Sequence, residues 1–162
     1  GELRADWSID AGGALRCGGR LRVGGDLRCG ASLEAADHVS VGLDLEVAAA
    51  VVCARGLQAG GRVAAGGALR AGHGILAGGA IETGRHLEAG WGIRAGEDIA
   101  AGGSIRAGES LSAGGTIRAG AGYGIFAGLD VALADWAQSA RVSAAVHPPD
   151  LISGHWSGPA AG

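Results

Sequence analysis

The sequence contains no lysine, no methionine and few aromatic residues: four Trp, one Tyr and one Phe among 162 residues. A conventional globular core uses more large aromatic side chains than this. The net charge is −3 and no basic stripe is present, which is not typical of a nucleic-acid-binding protein. No apolar run approaches the ~18 residues of a membrane helix or resembles a signal-peptide core. We therefore expect neither nucleic acid nor membrane as a partner, and a cytoplasmic location.

What the sequence does contain is a repeat of six residues. A large aliphatic residue stands at every sixth position from Leu3 to Ile117, a small residue follows two positions later, and Gly usually comes next. Two inward residues separated by one outward residue are typical of a short strand with one apolar face. A helix is excluded, because a period of six places successive apolar residues ~240° apart around its axis. We expect Gly to form each corner through a positive φ angle.

Strands and corners that alternate without insertion predict an all-β, single-domain β-helix, or solenoid. Three six-residue units would form one coil, so that residues 18 apart stack at ~4.8 Å. Charges support this spacing: one outer face reads Arg16, Glu34, Val52, Arg70, Glu88 and Arg106. The sequence predicts about seven coils in residues 1–134, with Val131 and Leu133 in the last unit. An irregular C-terminal cap and tail would follow in residues 135–162, including Trp136, Val142, Val146 and Leu151.

The end of the repeat carries a resemblance. The segment Gly124-Ile125-Phe126-Ala127-Gly128-Leu129, after many Ile-x-Ala-Gly units, resembles bacterial hexapeptide-type β-helix proteins of largely unassigned role. The resemblance implies a β-helix, and left-handed members of that class have three units per coil. Here the large residue precedes the small one, the reverse of the usual order, so the handedness stays open. The resemblance implies no catalytic residues.

Three cysteines, Cys17, Cys29 and Cys53, occupy the small inward position of their units. We interpret them as small buried apolar residues, because their spacing fits neither a disulfide framework nor a zinc site. No metal ion or other cofactor is expected.

One column of corner residues differs from the small residues found at most other corners. Read in steps of 18 residues, it places large polar or aromatic side chains on five consecutive coils: Asp37, Arg55, His73, Trp91 and Glu109. The column beside it reads Arg20, His38, Gly56, Gly74, Gly92 and Ser110. A solvated edge with chance clustering would explain the pattern, but Trp and Arg are also common anchors of protein interfaces. We therefore name the five residues as a candidate partner-binding site and call them the edge column.

The function expected from these features is that of a non-enzymatic protein that binds another protein. By analogy at the level of the class, it could be an immunity protein that neutralises a bacterial toxin or effector. The alternative is a structural β-helix that associates with itself end to end, as bactofilin-type scaffolds do. A third reading, a remnant of a hexapeptide acyltransferase, is weakened by the absence of a long loop excursion and of a carboxylate to orient His73. No small-molecule substrate is expected.

Overall fold

A computed structural model describes residues 2–129, 134 and 136–159. The chain forms a parallel β-solenoid of about eight coils, in which successive strands belong in turn to three sheets, except that the last four strands lie in only two of them. Residues 18 apart are paired along most of its length, as in Leu57 with Val39 on one side and Ile75 on the other. The expected all-β solenoid is confirmed.

Sheet 1 has nine strands. Its strands are β1 (Leu3–Ala5), β4 (Leu21–Val23), β7 (Val39–Val41), β10 (Leu57–Ala59), β13 (Ile75–Ala77), β16 (Ile93–Ala95), β19 (Leu111–Ala113), β22 (Arg141–Ser143) and β24 (His155–Trp156). Sheet 2 has seven strands. They are β2 (Ile9–Ala11), β5 (Leu27–Cys29), β8 (Leu45–Val47), β11 (Val63–Ala65), β14 (Ile81–Thr83), β17 (Ile99–Ala101) and β20 (Ile117–Arg118).

Sheet 3 has eight strands. They are β3 (Leu15–Cys17), β6 (Leu33–Ala35), β9 (Val51–Cys53), β12 (Leu69–Ala71), β15 (Leu87–Ala89), β18 (Ile105–Ala107), β21 (Ile125–Phe126) and β23 (Leu151–Ser153). The helix α1 (Trp136–Ser139) is a single turn.

The core lies between the three sheets and consists of the large aliphatic residues and the small residues two positions after them. From Leu21 to Leu111 every large aliphatic position is at most 2% exposed. All three cysteines are buried and none forms a disulfide, as the sequence predicts. Each coil covers the apolar face of its neighbours, so a solenoid needs no thick aromatic core.

The glycine that follows each strand is present for a different reason from the one expected. Among the described residues, φ is positive only at Gly122, Gly128, Gly154 and Gly158, none of which is a corner of the regular repeat. The constraint is instead the close stacking of coils. A Cβ atom at Gly78 would lie 2.2 Å from the carbonyl oxygen of Gly60, one coil earlier. The positive-φ prediction is therefore wrong, and the steric contact takes its place.

The solenoid has about eight coils rather than about seven because the irregular C-terminal segment contributes strands. β22 pairs with β19, β24 pairs with β22, and β23 pairs with β21. Val142 is fully buried, whereas Val146 is 64% exposed and does not belong to the expected lid. Val131 and Leu133, which the sequence assigns to the last unit, lie outside the described residues. The two extra residues before Ile125 lengthen one coil, so that Ile125 pairs with Ile105.

Outward side chains of sheets 2 and 3 form ion pairs between neighbouring coils. The pairs expected from the 18-residue spacing are present: Arg16 with Glu34 at 2.9 Å, Arg28 with Glu46 at 3.2 Å, and Arg70 with Glu88 at 2.9 Å. Glu82 instead pairs with the corner residue Arg62, because its neighbours in the sheet are Ala64 and Ala100. These exposed pairs each stabilise the fold by only ~0.2–1 kcal/mol.

Candidate binding groove

The structure brings the five residues of the edge column together along one corner, where the chain passes from sheet 3 to sheet 1. Backbone hydrogen bonds link successive coils at this corner. The N–H of His73 donates to the Arg55 carbonyl at 3.2 Å, that of Trp91 to His73 at 3.3 Å, and that of Glu109 to Trp91 at 3.2 Å. The column therefore has a fixed spacing of one coil per residue.

At one end of the column, Asp37 is held by its own neighbours. Its Oδ1 accepts the N–H of His38 at 2.7 Å and lies 3.8 Å from Arg55 Nε. The bond from His38 N–H, and then the charge of Arg55, hold the pKa of the Asp37 carboxyl below its usual value. Asp37 and Arg55 thus neutralise each other, and neither lines the groove described below.

The middle of the column is aromatic. The rings of His73 and Trp91 stack with centroids 4.0 Å apart and planes 3° apart. His38 lies on the other side of His73, with 6.1 Å between ring centroids. Trp91 remains 50% exposed, so much of the indole is open to solvent. A ring held by stacking loses little freedom on binding, which suits it to be an interface anchor.

Glu109 continues the column on the coil after Trp91. Its side chain is exposed, and its carbonyl oxygen accepts the N–H of Gly128 at 2.9 Å. The backbone of Glu109 therefore helps to position the segment after β21, while its carboxylate remains open to solvent.

A groove of about 530 Å³ runs beside the edge column, over the outward face of sheet 1. His73 and Trp91 form one wall, and outward side chains such as Gln58, Leu76 and Arg94 form the other. Gly56, Gly74 and Gly92 form the floor between the two walls. Arg20, Arg22 and His38 line one end, and Ser110 and Ser112 line the other.

Each floor glycine is the last residue before a strand, and we call this place in the repeat the floor position. At other corners of the solenoid the same position carries a side chain. In the corner before sheet 2, the side chains of Asp44 and Asp98 point along the column: Asp44 Oδ1 accepts the N–H of Arg62 at 2.8 Å, and Asp98 Oδ1 accepts that of Thr116 at 2.7 Å. His38 accepts the N–H of Gly56 through Nδ1 in the same way, at 3.1 Å. The three floor glycines are therefore not a general requirement of the corner.

Steric contacts lead to the same conclusion. A Cβ atom at Gly74 would lie 3.3 Å from the Gly92 carbonyl oxygen, a tight contact that a shift of a few tenths of an ångström relieves, whereas one at Gly78 would lie 2.2 Å from backbone. Gly78 is needed so that two coils can approach each other, and Gly74 is not. What Gly74 does provide is an open floor.

The edge column contributes His73 and Trp91 to the groove, and the wall from sheet 1 was not predicted from the sequence. Arg22, Leu76 and Arg94 belong to that wall and were not among the candidate residues. A signal was present in the sequence: the outward column that contains them reads Arg4, Arg22, Ser40, Gln58, Leu76, Arg94 and Ser112. Unlike the outward columns of the other two sheets, it contains no acidic residue, so its arginines have no carboxylate on a neighbouring strand.

The described residues offer no second site with recognisable chemistry. Among them, no three His, Cys, Asp or Glu residues lie close enough to hold a metal ion. His86 Nδ1 accepts the N–H of Ser104 at 3.0 Å and lies 3.0 Å from its hydroxyl oxygen, but the ring has an edge contact with Tyr123 and no ion pair with a carboxylate in the described chain. No helix of the described chain is long and apolar enough to cross a membrane.

No protein-family model, curated protein or solved structure matches the chain. The hexapeptide-type resemblance therefore stays a prediction, while the parallel β-solenoid stands on the pairing of its strands.

Proposed function

We propose that the protein is a non-enzymatic binding protein that docks another protein in the groove beside the edge column. The observation that supports this proposal is the open glycine floor between the stacked His73–Trp91 pair and sheet 1. Three consecutive coils leave empty a position that other corners fill with Asp, His or Ser. The backbone does not require this emptiness, and it exposes an aromatic wall that would otherwise be partly covered.

A solenoid is well suited to such a role. Every wall residue of the groove is attached to a short strand or corner that is hydrogen-bonded to the coils on both sides. A partner would therefore meet a surface that changes little on binding. Within that surface, Trp91 is the expected anchor, because a half-exposed indole buries a large area when it is covered.

The proposal also includes a more specific role, that of an immunity protein. A rigid binder in bacteria fits an immunity protein that neutralises a toxin or effector, by analogy at the level of the class alone. Assignment to the left-handed hexapeptide class, with six-residue units and a C-terminal cap, is proposed on the period of the sequence and the resemblance of its last units. A cytoplasmic location is also part of this proposal.

The experiment uses a variant that fills the groove without disturbing the fold. In Gly74→Asp, the new carboxylate should accept the N–H of Gly92, as Asp44 accepts that of Arg62. Ala68→Asp is the matched control, because residue 68 occupies the same corner position before sheet 3, outside the groove. Wild type and both variants are immobilised and exposed to a lysate of the cells that encode the protein. Proteins captured by wild type and Ala68→Asp but not by Gly74→Asp are then purified and tested for a direct complex.

A direct complex that Gly74→Asp abolishes is the expected result. Identical captured proteins for all three baits would contradict docking in the groove. Size-exclusion chromatography of the wild type distinguishes the proposed function from the alternative, end-to-end self-association. A partner-binding protein should elute as a discrete small species. A broad series of large species would instead support end-to-end association.

A further inference from the structure

Within the described residues, Arg22 and Arg94 of the groove lack the carboxylate partner that several outward arginines of sheets 2 and 3 have. On sheets 2 and 3, Arg16, Arg28 and Arg70 each lie within 3.2 Å of a glutamate on the next coil. Arg22 and Arg94 line the groove and form no ion pair within the described chain. In the sheet, Arg22 lies between Arg4 and Ser40, and Arg94 lies between Leu76 and Ser112. The described lining of the groove contains no carboxylate at all.

The floor adds hydrogen-bond donors to this positive charge. At the floor position, the N–H group points toward the side chain of the residue 18 positions earlier, as the bond from Arg62 to Asp44 illustrates. For Gly74, Gly92 and Ser110, the residue 18 positions earlier is a glycine, which has no side chain to accept the bond. In the described chain these three N–H groups have no acceptor. Backbone N–H groups that line a concave surface favour anionic oxygen atoms.

The dimensions of the groove define what could lie in it. Arg22 and Arg94 are four coils apart, which at ~4.8 Å per coil separates their strands by ~19 Å. An extended peptide advances ~3.3 Å per residue, so about six residues would span this distance. Leu76, which is 39% exposed, lies one coil before Arg94, and Trp91, which is 50% exposed, lies on the same coil as Arg94. The groove is therefore cationic at the Arg22 end, and its exposed apolar side chains lie beside the second arginine, Arg94.

We propose that the occupant of the groove is an extended, acidic segment of the partner protein, with carboxylates that reach Arg22 and Arg94 and an apolar or aromatic residue next to the carboxylate at Arg94. This inference rests on the proposed function. The carboxylates would pair with Arg22 and Arg94 and accept the free N–H groups of the floor. The apolar side chain would cover Leu76 and the exposed part of Trp91. A nucleic acid fits less well, because phosphates are evenly spaced, whereas Arg22 and Arg94 are four coils apart and Glu109 lies beside Trp91.

The test uses a blocked six-residue peptide, Glu-Glu-Phe-Leu-Glu-Glu, titrated into the full chain by isothermal calorimetry. Two further peptides replace every Glu by Gln or by Lys, and a six-nucleotide oligothymidylate represents nucleic acid. We expect binding of the Glu peptide alone, weakened by added salt because the attraction is partly between exposed charges.

Variants of the protein locate the binding. Arg94→Ala removes one charge-assisted contact and should raise the Kd of the Glu peptide about tenfold. Gly74→Asp places a carboxylate on the floor and should raise it at least as much. Arg118→Ala removes an exposed outward arginine of sheet 2, and Ala68→Asp adds a carboxylate outside the groove, so both should leave the Kd within about twofold.

Any of four results would overturn the acidic segment as occupant. The first is equal binding of the Gln peptide, and the second is tighter binding of the oligonucleotide. The third is absence of binding, and the fourth is binding that Arg118→Ala weakens as much as Arg94→Ala does. If any of these is found while Gly74→Asp still abolishes capture of a partner, the groove remains a docking site for a partner of different chemistry. If Gly74→Asp has no effect on capture, the proposed function itself fails.

Discussion

The side chain of Leu57 lies inside the solenoid, 2% exposed, between Val39 and Ile75 of the neighbouring coils. Leu57→Asp would bury a carboxylate without a partner in this stack, at a cost of about 3 kcal/mol or more. We expect the variant to be insoluble or to melt far below the wild type in circular dichroism. Gln58→Asp, one residue further and exposed, is the control and should melt normally. A soluble Leu57→Asp protein with wild-type melting would contradict the inward position of this column.

The buried thiol of Cys53 makes the stability of the protein depend on alkaline pH. Burial raises the pKa of Cys53 from about 9 to about 12. Above pH 9 the unfolded chain loses this proton while the folded chain retains it, so the folded state loses relative stability. The free energy of unfolding should therefore fall by up to about 1.4 kcal/mol per pH unit between pH 9 and pH 12. Urea denaturation at several pH values measures this slope.

The sequence contains no lysine, so few other side chains contribute to the slope in this pH range. Cys53→Ala should flatten most of the slope and leave the contribution of Cys29, whose pKa burial also raises. The same burial predicts slow labelling of Cys53 by thiol reagents in the folded protein. An unchanged slope in Cys53→Ala, or rapid labelling without denaturant, would show that the thiol is accessible.

At the scale of the element, each corner is held by hydrogen bonds between coils, and some of them come from side chains. Asp44 donates its N–H to Asp26 at 3.0 Å and accepts that of Arg62 at 2.8 Å. Asp44→Ala leaves the Arg62 N–H without this acceptor and should lower the free energy of unfolding by about 1 kcal/mol. Asp44→Asn retains an oxygen at the same place and should lose less. Equal losses in the two variants, measured by thermal unfolding, would assign the effect to charge rather than to the hydrogen bond.

The strands and their register could be predicted because the period of six determines both. An inward Leu or Ile at a fixed interval specifies where each strand lies, and the alternation of Arg16 with Glu34 indicates which strands are neighbours. The edge column followed from the same arithmetic. The role of the glycines could not be predicted in this way, because the 2.2 Å that would separate a Cβ atom at Gly78 from the Gly60 carbonyl oxygen depends on how closely the coils stack.

Two other features lay beyond the periodicity. The strands β22, β23 and β24 extend the sheets but do not follow the six-residue repeat. The sequence therefore predicts a cap in a segment where the chain adds strands. The groove needs two columns from different positions of the repeat, the corner with Trp91 and the outward face with Arg94. Each column can be read from the sequence, but their distance and relative tilt depend on the shape of the coil.

At the scale of the whole molecule, stability is distributed over about eight coils, each of which contacts its neighbours. The stability of such a molecule is approximately a sum over coils and their interfaces. Side chains that point outward contribute little to this sum. The net charge of −3 is likewise not evenly spread, because the groove is lined by Arg20, Arg22 and Arg94. Binding and stability should therefore be separable by mutation in this protein.

Trp91→Ala tests that separation. The indole stacks on His73 but belongs to no part of the core, so the melting temperature should stay nearly unchanged. Binding of the partner identified by differential capture should weaken by about 2 kcal/mol or more, because the anchor of the groove is lost. Arg55→Ala should act in the same direction but less, since Arg55 is engaged by Asp37 and lies outside the groove. Glu82→Ala, on sheet 2, removes only an exposed ion pair with Arg62. It should leave the melting temperature nearly unchanged and change the free energy of binding by less than about 1 kcal/mol. Wild-type affinity of the Trp91→Ala variant in calorimetry would exclude the edge column as the main contact and direct the search to the C-terminal segment around Trp136 and Trp156.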